Sequence, residues 1–125
     1  MLDNLNIKYF PFFNSVKNPV SAAGTSDPVY NSGYDLLILE ISGTVTAISL
    51  EVEGCINQLN GNGNQLDESD CDYSTLTVFK AEDYSMSTSV TDKGVYYVPI
   101  NGRSRVRVKI NSVTGDAIIV GALEK

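Results

Sequence analysis

The chain has 125 residues and a net charge of −6, with 42% hydrophobic and 19% charged residues. Such a composition fits one domain with one core and excludes a disordered tail or a coiled coil. Histidine and tryptophan are both absent, which removes every mechanism and metal site built on imidazole.

In chain order, the first 33 residues are rich in Asn, Ser and Pro and hold one dense aromatic knot, Tyr9-Phe10-Pro11-Phe12-Phe13. They read as an N-terminal arm with strands at Leu5–Phe13 and Pro19–Ala23, part of the same unit as a sandwich domain over 34–125. Strands follow at Tyr34–Ser42 and at Ile48-Ser49-Leu50-Glu51-Val52-Glu53, where apolar and polar residues alternate without a break. Val45 and Ile48 are out of phase, which points to a bulge or twist near Thr46-Ala47. Residues 57–72 carry two Asn-Gly steps and four acids, and read as a long exposed loop. Further strands are expected at Leu76–Lys80, Tyr84–Val90, Val95–Ile100, Arg103–Ile110 and Ala117–Leu123.

Roughly seven to nine short strands with little helix predict an all-β fold, a single antiparallel, jelly-roll-like sandwich. Asn101-Gly102 between two strong strands predicts a hairpin over Val95–Ile110. Thr114-Gly115-Asp116 would then turn the last strand into a three-stranded meander. Pro99 has no N–H to give a ladder, so its position should face an edge or a bulge.

The charge is unevenly spread. Residues 1–102 carry four lysines and thirteen acids, net −9, whereas residues 103–125 carry three arginines, two lysines and two acids, net +3. Side chains two apart on a strand point the same way about 6.6–6.8 Å apart, so Arg103, Arg105, Arg107 and Lys109 form one row. That row is either a solvated face paired with acids on neighbouring strands or a contact surface for an acidic protein partner. The acidic whole opposes nucleic acid and anionic membranes as partners.

Asp67-Glu68-Ser69-Asp70-Cys71-Asp72 lacks the glycine and the closing glutamate of an EF-hand and reads as a solvated loop, with weak calcium binding as the alternative. Cys55 and Cys71 flank the Asn/Gly-rich loop and can meet across it, although a cytosolic pair is more often reduced than bridged. The start Met1-Leu2-Asp3-Asn4 lacks the basic, apolar pattern of a signal peptide, so synthesis in the cytoplasm is expected. Tyr9, Phe10, Phe12 and Phe13 either close the domain's own core, with Phe10 and Phe12 inward, or pack on a neighbouring subunit. No Gly-x-Ser-x-Gly elbow, P-loop or Cys-x-x-Cys pair is present, so neither catalysis nor a cofactor is expected.

An early strand Thr44-Val45-Thr46-Ala47-Ile48-Ser49-Leu50-Glu51-Val52-Glu53-Gly54 is followed by a variable loop, then by Gly94-Val95-Tyr96-Tyr97-Val98. A glycine turn, Arg105-Val106-Arg107-Val108 and Ile118-Ile119-Val120-Gly121 complete the order. From Leu36 to Ala122 this order resembles a small β-sandwich type common among structural proteins of tailed bacteriophages. Members often carry an aromatic residue and a short Asp-Gly turn where Cys55-Ile56-Asn57 and the acidic loop stand here. The resemblance implies a virion component, such as a capsid decoration or head-fibre protein. It would bind the major capsid protein or other virion proteins at the capsid surface, as a homo-oligomer such as a trimer. The alternative it implies is a tail, neck or baseplate component, or a carbohydrate-binding module using Tyr30, Tyr34, Tyr73, Tyr84, Tyr96 and Tyr97.

Overall fold

The computed structural model describes residues 7–12, 19–31, 33–56 and 67–125. It is an all-β sandwich of two antiparallel sheets, as the strand pattern predicts. Its strands are β1 (Ile7–Pro11), β2 (Gly24–Thr25), β3 (Val29–Tyr30), β4 (Leu36–Gly43), β5 (Ala47–Cys55), β6 (Ser74–Thr75), β7 (Val78–Lys80), β8 (Met86–Ser87), β9 (Gly94–Pro99), β10 (Arg105–Thr114) and β11 (Ala117–Glu124). A single 3₁₀ turn, Glu68–Asp70, is the only helical element among the described residues. The first sheet runs β1-β11-β4-β9-β7-β8, and the second runs β2-β10-β5-β6 with β3 also on β10.

The core lies between the sheets. Leu37, Leu39 and Ile41 of β4, Tyr96 and Val98 of β9 and Ile119 and Leu123 of β11 come from the first sheet. Leu50 and Val52 of β5 and Val106, Val108 and Ile110 of β10 come from the second. Each such side chain contributes about 1.5–3 kcal/mol when fully buried. Phe12, just past β1, is 6% exposed and joins this core. Tyr96 points inward but keeps its hydroxyl at the rim, donating to the Asp92 carbonyl at 2.9 Å.

Two local expectations are overturned. The hairpin over Val95–Ile110 does not form: β9 pairs with β4 and β7, whereas β10 pairs with β5, β2 and β3. The meander fails for the same reason, because β11 returns to the first sheet between β4 and β1. Alternation shows only that a strand has one buried face, and two such strands satisfy it equally well by facing each other across a core. Asn101-Gly102 and Thr114-Gly115-Asp116 are therefore turns between sheets. Pro99 ends β9 where β4 pairs with it and β7 does not, as its missing N–H requires.

Smaller differences have local causes. Pro19–Ala23 makes one bridge, Val20 to Ala117, rather than a strand. The irregularity sought near Thr46-Ala47 is the turn from β4 into β5, with Val45 buried in it, and the bulge lies in β10 between Ile110 and Ser112. The strand expected at Tyr84–Val90 is reduced to the two residues of β8, and the two-residue strands β2, β3 and β6 are likewise too short to leave a period in the sequence.

At one end of the sandwich two crossings between sheets are bonded to each other. Thr44 N–H donates to the Asp116 carbonyl and Thr46 N–H to the Thr114 carbonyl, both at 2.9 Å. Gly43 and Gly115 sit here with φ of 101° and 90°. A Cβ on Gly115 would lie 2.6 Å from the Thr44 carbonyl oxygen, and one on Gly43 would collide with the Asp116 carbonyl oxygen. Alanine at either position should destabilise the fold by about 1–3 kcal/mol, read as a lower urea midpoint. Gly24→Ala, which meets nothing within 4 Å, should change stability by less than about 0.5 kcal/mol.

Candidate interaction surfaces

The outer face of the second sheet carries the basic row, and the register decides what it meets. Arg105 lies opposite Tyr30 on one side and Cys55 on the other; Arg107 lies opposite Glu53, and Lys109 opposite Glu51 and Thr25. The row is not solvated along its length. The Arg105 side chain is 1% exposed, Arg107 is half-buried and Lys109 is exposed. Arg103 precedes β10 and leaves the row: half-buried, it runs its stem against Gly54.

In the acidic segment expected to be solvated, Asp67, Asp70 and Asp72 are exposed, but Glu68 turns onto the arginines. Glu68 accepts from Arg105 Nη1 at 2.9 Å and lies 3.6 Å from Arg107 Nη1. Tyr73 donates its hydroxyl to the same carboxylate, 2.8 and 2.7 Å from its two oxygens. Arg107 Nε donates to Glu53 at 2.9 Å, and its guanidinium stacks 3.6 Å from the Tyr73 ring centre. Arg105 lies 5.1 Å from the Tyr30 ring centre. Burial opposes the Arg105 charge most, but the Glu68 hydrogen bond together with the fields of Cys71, Tyr30 and Glu68 outweighs it and raises the guanidinium pKa above its ordinary value. Burial, and then Glu68, push the Tyr73 phenol far above its ordinary range, so it stays a donor. Residues 57–66 of the same loop lie outside the described residues. Among the described residues no group of three or more acids or cysteines is arranged to hold a metal ion.

The outer face of the first sheet is different. The pairings Ala122–Ile38, Ile38–Tyr97, Tyr97–Phe79 and Phe79–Met86 lay one apolar row across five strands. Leu36, Val95, Pro99 and Val120 flank it on the same face, with Glu40 exposed among them. At its open end Met86 is 69% and Tyr84 68% exposed. Tyr84 stacks on Tyr97, ring centres 6.2 Å apart and 23° from parallel. It is held there by the β7–β8 turn: Tyr84 N–H donates to the Lys80 carbonyl at 2.7 Å, and Asp83 accepts from Ser85 N–H at 3.0 Å. The turn places Tyr84 at φ 58°, a conformation costly for an aromatic residue.

The residues expected to meet a partner are thus scattered. Arg105 and Arg107 are engaged internally, Phe12 is in the core, and Lys109 remains exposed. The side chains of Tyr9 and Phe10 and the whole of Phe13 lie outside the described residues. The apolar row was missed, although unbroken apolar runs in β4, β9 and β11 signal strands covered on both faces. Removing one partner of a buried ion pair costs more than removing both. Glu68→Ala should therefore lower stability by about 3 kcal/mol in urea denaturation. Adding Arg105→Met should restore part of it, whereas strictly additive losses would show that the two do not act as a pair.

No protein-family model matches the chain, and no curated protein sequence matches it. Two solved structures share its fold. The SPBc2 prophage-derived protein YomS superimposes with a TM-score of 0.70 at 18% identity, over 95% of this chain and 93% of its own. The PBSX exported protein XepA gives a TM-score of 0.72 at 18% identity, over 95% of this chain but only 38% of its own. The sandwich is therefore nearly all of one phage-derived chain and a minor part of another.

Proposed function

We propose that this chain is a non-enzymatic structural protein of a bacteriophage particle, docking on a protein lattice of the head as a decoration protein. The observation that carries the proposal is the apolar row from Ala122 to Met86, ending in exposed Tyr84 and Met86. Tyr and Met are enriched in protein interfaces, and contiguous apolar faces on soluble domains mark interaction sites. Glu40 within the face, with Glu82 and Asp83 exposed near its open end, complements an apolar partner surface that carries basic residues. The partner's chemistry is therefore the reverse of the acidic surface that the arginine row alone implies. The fold shared with two phage-derived proteins supports a phage setting, and the acidic body disfavours nucleic acid. Self-association, as in a trimer at a symmetry axis, fits the same face.

Purified heads stripped of tails should contain this polypeptide by mass spectrometry. Its absence there and presence on tails would overturn the head assignment. Tyr84→Ser with Met86→Ser should weaken attachment at least about tenfold, as for a hot spot of roughly 2 kcal/mol, and leave the melting temperature unchanged. Lys109→Glu should leave attachment unchanged. One observation favours a second reading, a tail component that binds host glycans: the exposed, stacked Tyr84–Tyr97 pair is also a sugar platform. Binding to host cell-wall glycans that is lost in Tyr84→Ser would select that role over head decoration.

A further inference from the structure

Cys55 ends β5 on the outer face of the second sheet, where it is buried, and is the register partner of Arg105. Cys71 follows the 3₁₀ turn, its N–H donating to the Glu68 carbonyl at 3.2 Å and its thiol to the Asp67 carbonyl at 3.4 Å. Because the Glu68 carboxylate is bound to the Arg105 guanidinium, the turn that carries Cys71 is fixed over the strand position that Cys55 occupies. Both thiols are free, and Cys55 is among the groups that act on the Cys71 thiol. Cys55 also lines a surface cleft of ≈ 380 Å³ with Gly54, Ile56, Asp72, Tyr73 and Arg103, while Cys71 is half-buried and is the thiol more open to a small reagent.

We propose that Cys55 and Cys71 are a redox latch, a thiol pair that closes to an intramolecular disulfide by exchange with a low-molecular-weight disulfide such as oxidised glutathione. The Cys71 thiolate attacks one sulfur of that disulfide, forming a mixed disulfide and expelling one thiolate, which takes up a proton. The Cys55 thiolate then attacks Cys71 Sγ, breaking the mixed S–S bond and expelling the second thiol. The protein loses two protons and two electrons, and one small disulfide takes them up to become two thiols. The closed bond joins the end of β5 covalently to the turn that carries Glu68, so that Glu68 stays placed whatever happens to the ionic contacts. Burial, and then the neighbouring Cys55 thiol, raise the Cys71 pKa, with Arg105 pulling the other way. Exchange is accordingly slow at neutral pH and accelerates as pH rises toward the thiol range.

The test incubates the reduced, folded protein with oxidised glutathione between pH 7 and 9. Both thiols should disappear without added glutathione mass, and a non-reducing digest should yield one peptide pair joined through Cys55 and Cys71. The chain should keep its native size in solution, and its melting temperature should rise by on the order of 10 °C, reversibly with a reducing agent. Cys71→Ser should show neither the cross-link nor the rise. Two separate glutathione adducts, cross-links only between chains, or thiols that stay free at pH 9 would each overturn the proposal, and these read-outs need no variant to fold.

Discussion

A buried guanidinium sets the terms for the second sheet. Arg105 stands at a strand position whose neighbours, Cys55 and Tyr30, offer no formal charge of opposite sign. A charge in that setting demands a carboxylate and hydrogen bonds, and leaving it alone would cost several kcal/mol. Glu68 comes from a loop far away in sequence, and its placement brings the rest. Tyr73 follows it onto the face, roofs Arg107 and closes the ring through the shared carboxylate. Arg107 in turn fixes Glu53, so two strands and one loop are bound by a single connected set of charge-assisted bonds.

This network determines which surface is left for a partner. Two of the three arginines are spent internally, so the positive C-terminal segment does not project a positive face. Asp27, Asp35, Glu40, Glu51 and Asp116 take part in no ion pair among the described residues. The exterior is thus more uniformly acidic than the charge distribution along the chain implies. The first sheet makes the opposite arrangement. Its strands are apolar on both sides, one side filling the core and the other bearing the row that ends at Met86. Among the described residues the two outer faces are thus chemically unlike, one polar and paired internally, the other apolar.

Legibility followed the same division. Strands β5 and β10 alternate strictly because one side is core and the other is charged, so their faces could be assigned from residue order alone. In β4, β9 and β11 the runs Leu36-Leu37-Ile38-Leu39, Val95-Tyr96-Tyr97-Val98 and Ile118-Ile119-Val120 hide the phase, because both sides are apolar. Sheet membership was illegible for a different reason. The turn at Asn101-Gly102 looks alike whether it joins two neighbours in one sheet or lifts the chain to the other. What decides is long-range: β9 finds its partner in β4 and β10 in β5, each far away in sequence. The fate of Glu68 was hidden too, since nothing local distinguishes a solvated acid from one that finds a buried arginine 37 positions later.

Exposed aromatics at a strained turn carry a different kind of information from buried ones. A core tyrosine such as Tyr96 is explained by the apolar surface that it covers. Tyr84 covers little, is mostly exposed, and sits at a backbone angle that a glycine or asparagine would adopt at lower cost. Stability of the free domain alone does not account for it, because stacking one face on Tyr97 contributes only about 0.5–1.5 kcal/mol against about 1–3 kcal/mol of strain. The balance turns favourable when the other face of the ring is also covered, which is what docking of a partner would supply. On the proposed reading, the β7–β8 turn is the place where a partner would complete the energetics of the isolated chain.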